Sequence, residues 1–321
     1  MAEVALLLPG QGSQRIRMAA GLYPGERVFA EAMDEVFAAL GPPGDRLRED
    51  WLSPAPRLSI DDAAWSQPLL FAVGHALGRL VCSWGVRPAA LLGHSVGELA
   101  AATLAGVFRL PDAVALVLDR VARAAAAPPG GMLAVAASAA ELAPFLGDGV
   151  TVGAVNAPRH TVLAGAREPL AAVAAALTAA GLAFRPVPSL CAFHSAALAP
   201  AFEGAESAVG PRRTPRLTVY SGYTGAPLGP AEVADAAFWA TQPVAPVHFW
   251  STLDSMLGDG EFVLVECGAG QELSKLARRH PAVRAGRSSV LPLLPSRAGT
   301  PDADRAAVLT ARTVLTDARG S

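Results

Sequence analysis

The sequence predicts an α/β fold: a parallel-sheet core with a second, smaller unit of strands and helices inserted in it. Three observations predict it. Short apolar runs at Val4–Leu8, Ala89–Leu92 and Phe262–Glu266 read as buried strands, and helical stretches lie between them. Around Ser95 the chain reads strand, sharp turn, helix, with the serine at the apex of Gly93-His94-Ser95-Val96-Gly97. From residue 130 to 188 the order becomes strand, helix, strand, strand, helix, strand, which is the ferredoxin-like pattern.

Each element has a local reason. Val4–Leu8 runs into Pro9-Gly-Gln-Gly-Ser-Gln14, a polar loop whose glycines let backbone approach another loop or a ligand closely. Gly10-x-Gly12 lacks the third glycine of a dinucleotide fingerprint. Ala19–Leu40 is expected to be mostly helical with a break at Pro24-Gly25, and Gly41–Pro56 to be loop-rich. Gln67–Trp84 is a long apolar helix, so its His75 and Cys82 read as core residues.

Glycines two positions either side of Ser95 leave room for a tight, strained turn. Such a turn exposes the serine oxygen and aims the Val96 N–H at a developing oxyanion. Pro111 starts a helix to about Ala127, and Pro128-Pro-Gly-Gly131 ends it.

The inserted unit then takes Met132–Ser138, Val150–Asn156, Thr161–Ala164 and Phe184–Val187 as strands. Ala139–Leu146 and Arg167–Gly181 are its helices. The expected domains are therefore 1–129 with 189–321, and 130–188, with a substrate cleft between them. The chain continues with a strand at Arg216–Tyr220, a helix at Ala231–Thr241 and a loop at Pro243–Val247. A helix follows from Gln271, and the last twenty or so residues read as a surface helix and tail.

Composition narrows the function classes. The 321 residues are 52% hydrophobic and 17% charged, as in a globular chain rather than a disordered one. The net charge of −2 gives no support for nucleic-acid binding. No apolar run reaches membrane-spanning length and the start lacks a basic leader, so no membrane association is expected. Cys82, Cys191 and Cys267 are odd in number and far apart, which fits a reduced cytoplasm and no metal cluster.

Seven motifs recur in one order: Pro9-Gly-Gln-Gly-Ser-Gln14, Gly93-His-Ser-Val-Gly-Glu98, Arg120, Val155-Asn-Ala-Pro158, Ala192-Phe-His-Ser195, Gln242 with Pro246-Val-His-Phe249, and Val265-Glu-Cys-Gly-Ala-Gly270. Together they resemble the malonyl-CoA:acyl-carrier-protein transacylase family, which includes the acyltransferase domains of polyketide synthases. The resemblance covers nearly the whole chain. It implies an α/β-hydrolase-like core with a parallel sheet plus the inserted ferredoxin-like subdomain.

It also implies a chemistry. Ser95 attacks an acyl-CoA thioester, His194 is the general base, and the acyl-serine passes its group to the phosphopantetheine thiol of an acyl carrier protein. Position alone does not separate His194 from the chain's five other histidines; the Ala-Phe-His-Ser match does. The backbone N–H groups of Gln11 and Val96 would form the oxyanion hole. The Gln242 carbonyl would orient His194 in place of an acid. Arg120 would pair with the free carboxylate of a malonyl group. His94, Asn156, Phe193 and Ala124 complete the expected substrate contacts. No cofactor is expected beyond the CoA thioester as substrate and the partner's phosphopantetheine.

Of three departures from the family pattern, the first two bear on the substrate and the third is expected to be only structural. Ala124 stands where many relatives carry methionine, which would enlarge the acyl pocket. Cys191-Ala-Phe-His194 replaces the common His-Ala-Phe-His, and Gly268-Ala-Gly270 replaces Gly-Pro-Gly. Alternatives are an enzyme moving a bulkier acyl or aminoacyl unit between carrier proteins, a carrier-thioester hydrolase, and a non-catalytic docking module. Arg278, Arg279 and Arg284 are candidates for meeting an acidic carrier protein.

Overall fold

The computed structural model describes residues 2–147, 149–297 and 300–317. A six-stranded sheet forms the core, in the order β10-β9-β1-β2-β7-β8. Its strands are β1 (Glu3–Leu8), β2 (Ala90–Gly93), β7 (Thr218–Ser221), β8 (Ala226–Pro227), β9 (Phe262–Glu266) and β10 (Ser289–Pro292). All neighbours are parallel except β8, which turns back on β7. Leu6 of β1 faces Leu91 of β2 on one side and Val265 of β9 on the other. Leu6, Leu7, Leu8, Leu91, Leu92 and Leu264 are fully buried, as expected of strands covered on both faces.

The small sheet comprises β3 (Gly130–Val135), β4 (Val150–Ala157), β5 (His160–Ala166) and β6 (Phe184–Pro186) in the order β4-β5-β3-β6. All its pairs are antiparallel. Its helices are α6 (Ala139–Leu142) and α7 (Arg167–Ala179). Leu133, Val135, Leu142, Leu163, Leu170 and Leu177 give it a core distinct from that of the large sheet.

The large sheet is covered by α1 (Arg27–Leu40), α2 (Pro42–Leu52), α3 (Ala63–Ser83), α4 (Val96–Leu104) and α5 (Leu110–Ala126). Farther along come α8 (Pro230–Ala234), α9 (Ala236–Thr241), α10 (Phe249–Asp259), α11 (Glu272–Ala277), α12 (Pro281–Arg284) and α13 (Pro301–Asp317). The α/β class and the βαββαβ order agree with the sequence.

Several local expectations are corrected. The stretch expected to be loop-rich, Gly41–Pro56, contains α2. Pro42 and Pro43 open that helix instead of breaking it, because an N–H missing from the first turn costs nothing. Trp51 then buries completely and donates through Nε1 to the Met18 carbonyl at 2.8 Å. Helix α1 begins at Arg27 rather than near Ala19, because the preceding segment turns with Arg17 and Ala19 at positive φ. Helix α3 begins at Ala63, four residues earlier than expected, with the Asp62 side chain capping Ala64 N. Asp235 divides the expected 231–241 helix and caps its second half. Strand β10 and helix α10 had no sequence expectation. Residues 318–321 of the expected tail lie outside the described residues.

Candidate active site

Ser95 sits between β2 and α4 at φ 56°, a positive value that a non-glycine residue holds only under constraint from its surroundings. The glycines beside it explain the constraint. A side chain at Gly97 would place its first carbon 2.0 Å from the Leu8 carbonyl oxygen; one at Gly93 would stand 2.2 Å from Glu98 N. One at Gly10 would meet the His94 carbonyl at 2.4 Å, so the Pro9–Gln14 loop does lie against the elbow. The Gln11 side chain ties that loop down, accepting from Gln67 Nε2 at 2.5 Å and donating to the Pro188 carbonyl at 3.3 Å.

His194 also has positive φ, 64°, and its Nε2 stands 2.8 Å from Ser95 Oγ. Its Nδ1 faces two carbonyls, those of Ala245 at 2.9 Å and Gln242 at 3.2 Å. Carbonyls only accept, so Nδ1 carries the proton and Nε2 is free to accept from the serine hydroxyl. The Gln242 carbonyl was expected from the sequence; the nearer one, of Ala245, was not. Burial holds His194 down at about 4, helped by His94 and opposed by the two carbonyls.

Behind the pair lies a buried polar network. Arg120 is 6% exposed, and its Nη2 donates to Gln242 Oε1 at 2.8 Å and to the Trp239 carbonyl at 2.7 Å. Its buried Nε has no hydrogen-bond partner among the described residues. Gln242 Nε2 in turn donates to Glu98 Oε1 at 3.2 Å. Glu98, fully buried on the first turn of α4, also accepts from Ser221 Oγ at 2.6 Å and from Gly222 N at 2.9 Å. Burial pushes its carboxyl up to about 8, while Ser221, Gly222 and Arg120 act the other way.

A cleft of about 630 Å³ opens between the two sheets at Ser95. The structure brings Gln11, His94, Ser95, Asn156, Phe193 and His194 to its wall. His94 Nε2 lies 2.9 Å from Asn156 Oδ1, which ties the elbow to β4 of the small sheet. Val96 is the first residue of α4. Arg120, Gln242 and Ala124 lie outside the cleft lining. Ala124 is buried on α5, one turn beyond Arg120.

Arg279, Lys275, Arg159 and Arg185 line the cleft; Arg278 and Arg284 do not. Sequence reasoning passed over Glu98 as a polar hub, Ala245 and Tyr223. Tyr223 follows the C-terminal end of β7, next to the elbow strand, where open α/β sheets place their ligands; that was the available signal. Among the described residues no helix is long and apolar enough to cross a membrane, and no cluster of His, Cys, Asp and Glu could hold a metal.

The acyl transferase domain model matches residues 6–293. The chain is 38% identical over 283 residues to part of a phenolphthiocerol/phthiocerol polyketide synthase of Mycobacterium tuberculosis, covering 87% of this chain and 19% of that protein. It thus spans about a fifth of that relative's length. The acyltransferase domain from the second module of the salinomycin polyketide synthase superposes with a TM-score of 0.87 at 34% identity, covering 98% of this chain and 74% of that one. FabD from Acinetobacter baumannii superposes with a TM-score of 0.85 at 25% identity, covering 99% of this chain and all of that one.

Proposed function

The chain belongs to the acyl transferase domain family, and from that premise we propose that it moves a malonyl or related acyl group from coenzyme A to the phosphopantetheine thiol of an acyl carrier protein, in polyketide or fatty acid synthesis. The observation that carries the reading is the 2.8 Å hydrogen bond between Ser95 Oγ and His194 Nε2.

In the first half-reaction Ser95 Oγ bonds to the thioester carbonyl carbon while its proton passes to His194 Nε2. The C–S bond then breaks, and the imidazolium returns the proton to the departing thiolate. The second half runs the same steps in reverse with the carrier thiol. The N–H groups of Gln11 and Val96 stabilise the oxyanion. The Ala245 and Gln242 carbonyls hold the ring in the right tautomer, with less imidazolium stabilisation than a carboxylate gives. A histidine held near 4 is neutral at pH 7 and ready to accept a proton. No cofactor is required.

Arg120 supports a dicarboxylic acyl group. A buried guanidinium N–H left without an acceptor costs about 1–3 kcal/mol, and a malonyl carboxylate would supply that acceptor for Nε. Neither a bulkier uncharged acyl unit nor plain thioester hydrolysis needs it. Arg159, Arg185, Lys275 and Arg279 suit the phosphates of coenzyme A and of the carrier's phosphopantetheine arm.

The test is intact-protein mass spectrometry after incubation with malonyl-CoA. The expected result is a malonyl adduct on Ser95 that moves to an added carrier protein and is absent in Ser95→Ala. An adduct that survives Ser95→Ala overturns the mechanism. Release of the group to water rather than to the carrier points to the hydrolase reading.

A further inference from the structure

An aromatic chain runs from the base to the arginine. The Tyr223 ring lies 6.2 Å from the His194 ring and 6.4 Å from Phe238, edge-on. Phe238 meets Trp239 edge-on at 5.1 Å, and the Trp239 carbonyl accepts from Arg120 Nη2. Such pairs fix ring orientation. The Tyr223 backbone is fixed as well, since its N–H donates to Ser221 Oγ, which itself bonds Glu98. The phenol is therefore a supported wall.

The Tyr223 ring lies beside the base, and Phe238 and Trp239 link it to the arginine. Burial raises the phenol's pKa and the Glu98 carboxylate adds to this, while Arg120 opposes it. Tyr223 thus feels the buried charges of Glu98 and Arg120, and its ring neighbours the histidine that bonds Ser95. The open cleft is lined by Ser95 and His194 but not by Arg120 or Tyr223, which lie behind its wall. The thiol arm of donor or acceptor approaches Ser95 through the cleft, so an acyl group whose carboxylate reaches Arg120 extends from Ser95 away from that arm and past the phenol.

We propose that Tyr223 determines acyl specificity: its ring walls the path from Ser95 to Arg120, so that the site takes an unbranched dicarboxylic acyl unit and rejects one substituted at C2. The proposal deepens the acyl-transfer reading and rests on it. It also bears on Ala124. Space freed at that position does not widen the path while the phenol stands beside the serine. An ethyl branch pressed against a fixed ring loses a factor of roughly 10–200, the usual scale of discrimination by one or two methylenes.

The experiment compares Ser95 acylation rates by malonyl-CoA and ethylmalonyl-CoA in the wild-type chain and in Tyr223→Ala, Tyr223→Leu and Tyr223→Phe. Tyr223→Ala is expected to raise the ethylmalonyl-to-malonyl ratio by about tenfold or more. Tyr223→Phe, which keeps the ring, should leave the ratio near the wild-type value. Tyr223→Leu should fall between them and serves if the alanine variant does not fold. A folded Ala or Leu variant that labels with malonyl at an unchanged ratio overturns the role of Tyr223 alone. A wild-type chain that takes no malonyl group at all overturns the acyl-transfer reading, and this proposal with it.

Discussion

Gln242 joins Arg120 to His194. Its side-chain oxygen accepts from Arg120 Nη2 at 2.8 Å, and its backbone carbonyl lies 3.2 Å from His194 Nδ1. One residue therefore touches both the proposed acyl-binding cation and the proposed base. The two contacts are separable, because the backbone carbonyl stays in any substitution and Ala245 supplies a second, nearer one.

Gln242→Ala should consequently act on donor choice more than on the serine. Arg120 loses a partner and its orientation, so acylation by malonyl-CoA should fall about tenfold or more, on the scale of one lost charge-assisted hydrogen bond. Acylation by acetyl-CoA, which has no carboxylate, should change little. Arg120→Ala should show the same contrast more strongly. Equal losses with both donors in a rate comparison would show that Gln242 acts on His194 instead.

The acid limb of the reaction should lie unusually low. Acylation needs neutral His194, and burial lowers that group from its ordinary 6.5 to about 4. The pH profile of kcat/KM should therefore stay level through pH 6 and fall toward pH 4. The same shift affects folding. Between about 4 and 6.5 the unfolded chain binds more protons at this group than the folded one, so its contribution to stability is full above 6.5 and is lost as pH falls toward 4. A limb near 6.5, measured where circular dichroism shows a folded chain, would contradict this.

Gly97→Ala should disable the elbow. The added methyl would stand 2.0 Å from the Leu8 carbonyl oxygen, and a backbone oxygen in the central strand cannot step aside cheaply. Overpacking of this kind costs about 1–3 kcal/mol, and relief requires α4 to move away from β1. Urea unfolding should show the loss of stability, and the Ser95 adduct should disappear from the mass spectrum. A variant with native stability and normal labelling would mean that the turn is not constrained by this contact.

Cys191 should be inert. It is 7% exposed, and burial pushes its thiol up to about 12, well away from a thiolate at neutral pH. Iodoacetamide at pH 8 should first reach Cys82, which the structure leaves exposed near the end of α3 rather than in the core as its apolar helix suggested, and should leave acyl transfer intact. Inactivation that tracks alkylation of Cys191 would reopen its candidacy as a nucleophile.

The sequence by itself determined the class of fold and the local shapes. Gly93 and the apolar run before Ser95 specify an elbow locally, because the clash Gly93 avoids is with Glu98, close by in the chain, whereas Gly97 makes room for Leu8 of β1, which only folding brings near. The strand–helix order of residues 130–188 specified the small sheet in the same way. Residue type alone also hid some local structure: Gly41–Pro56 reads as loop-rich, yet Pro42 and Pro43 start a helix whose anchor, the Trp51–Met18 bond, spans 33 residues.

The tertiary structure decided the partners. Ser95 and His194 are 99 residues apart; spacing alone does not select that histidine from the six, the Ala-Phe-His-Ser resemblance only names it, and folding is what sets its Nε2 2.8 Å from the serine oxygen. The Ala245 carbonyl, the Glu98 hub and the Tyr223 wall depend on the segments after α9, β2 and β7 meeting beyond the C-terminal ends of the parallel strands. A backbone carbonyl carries no signature in residue type, and a half-buried tyrosine looks in sequence like any other aromatic packed at the edge of a core. Their roles come from distances across the fold, which local spacing does not encode.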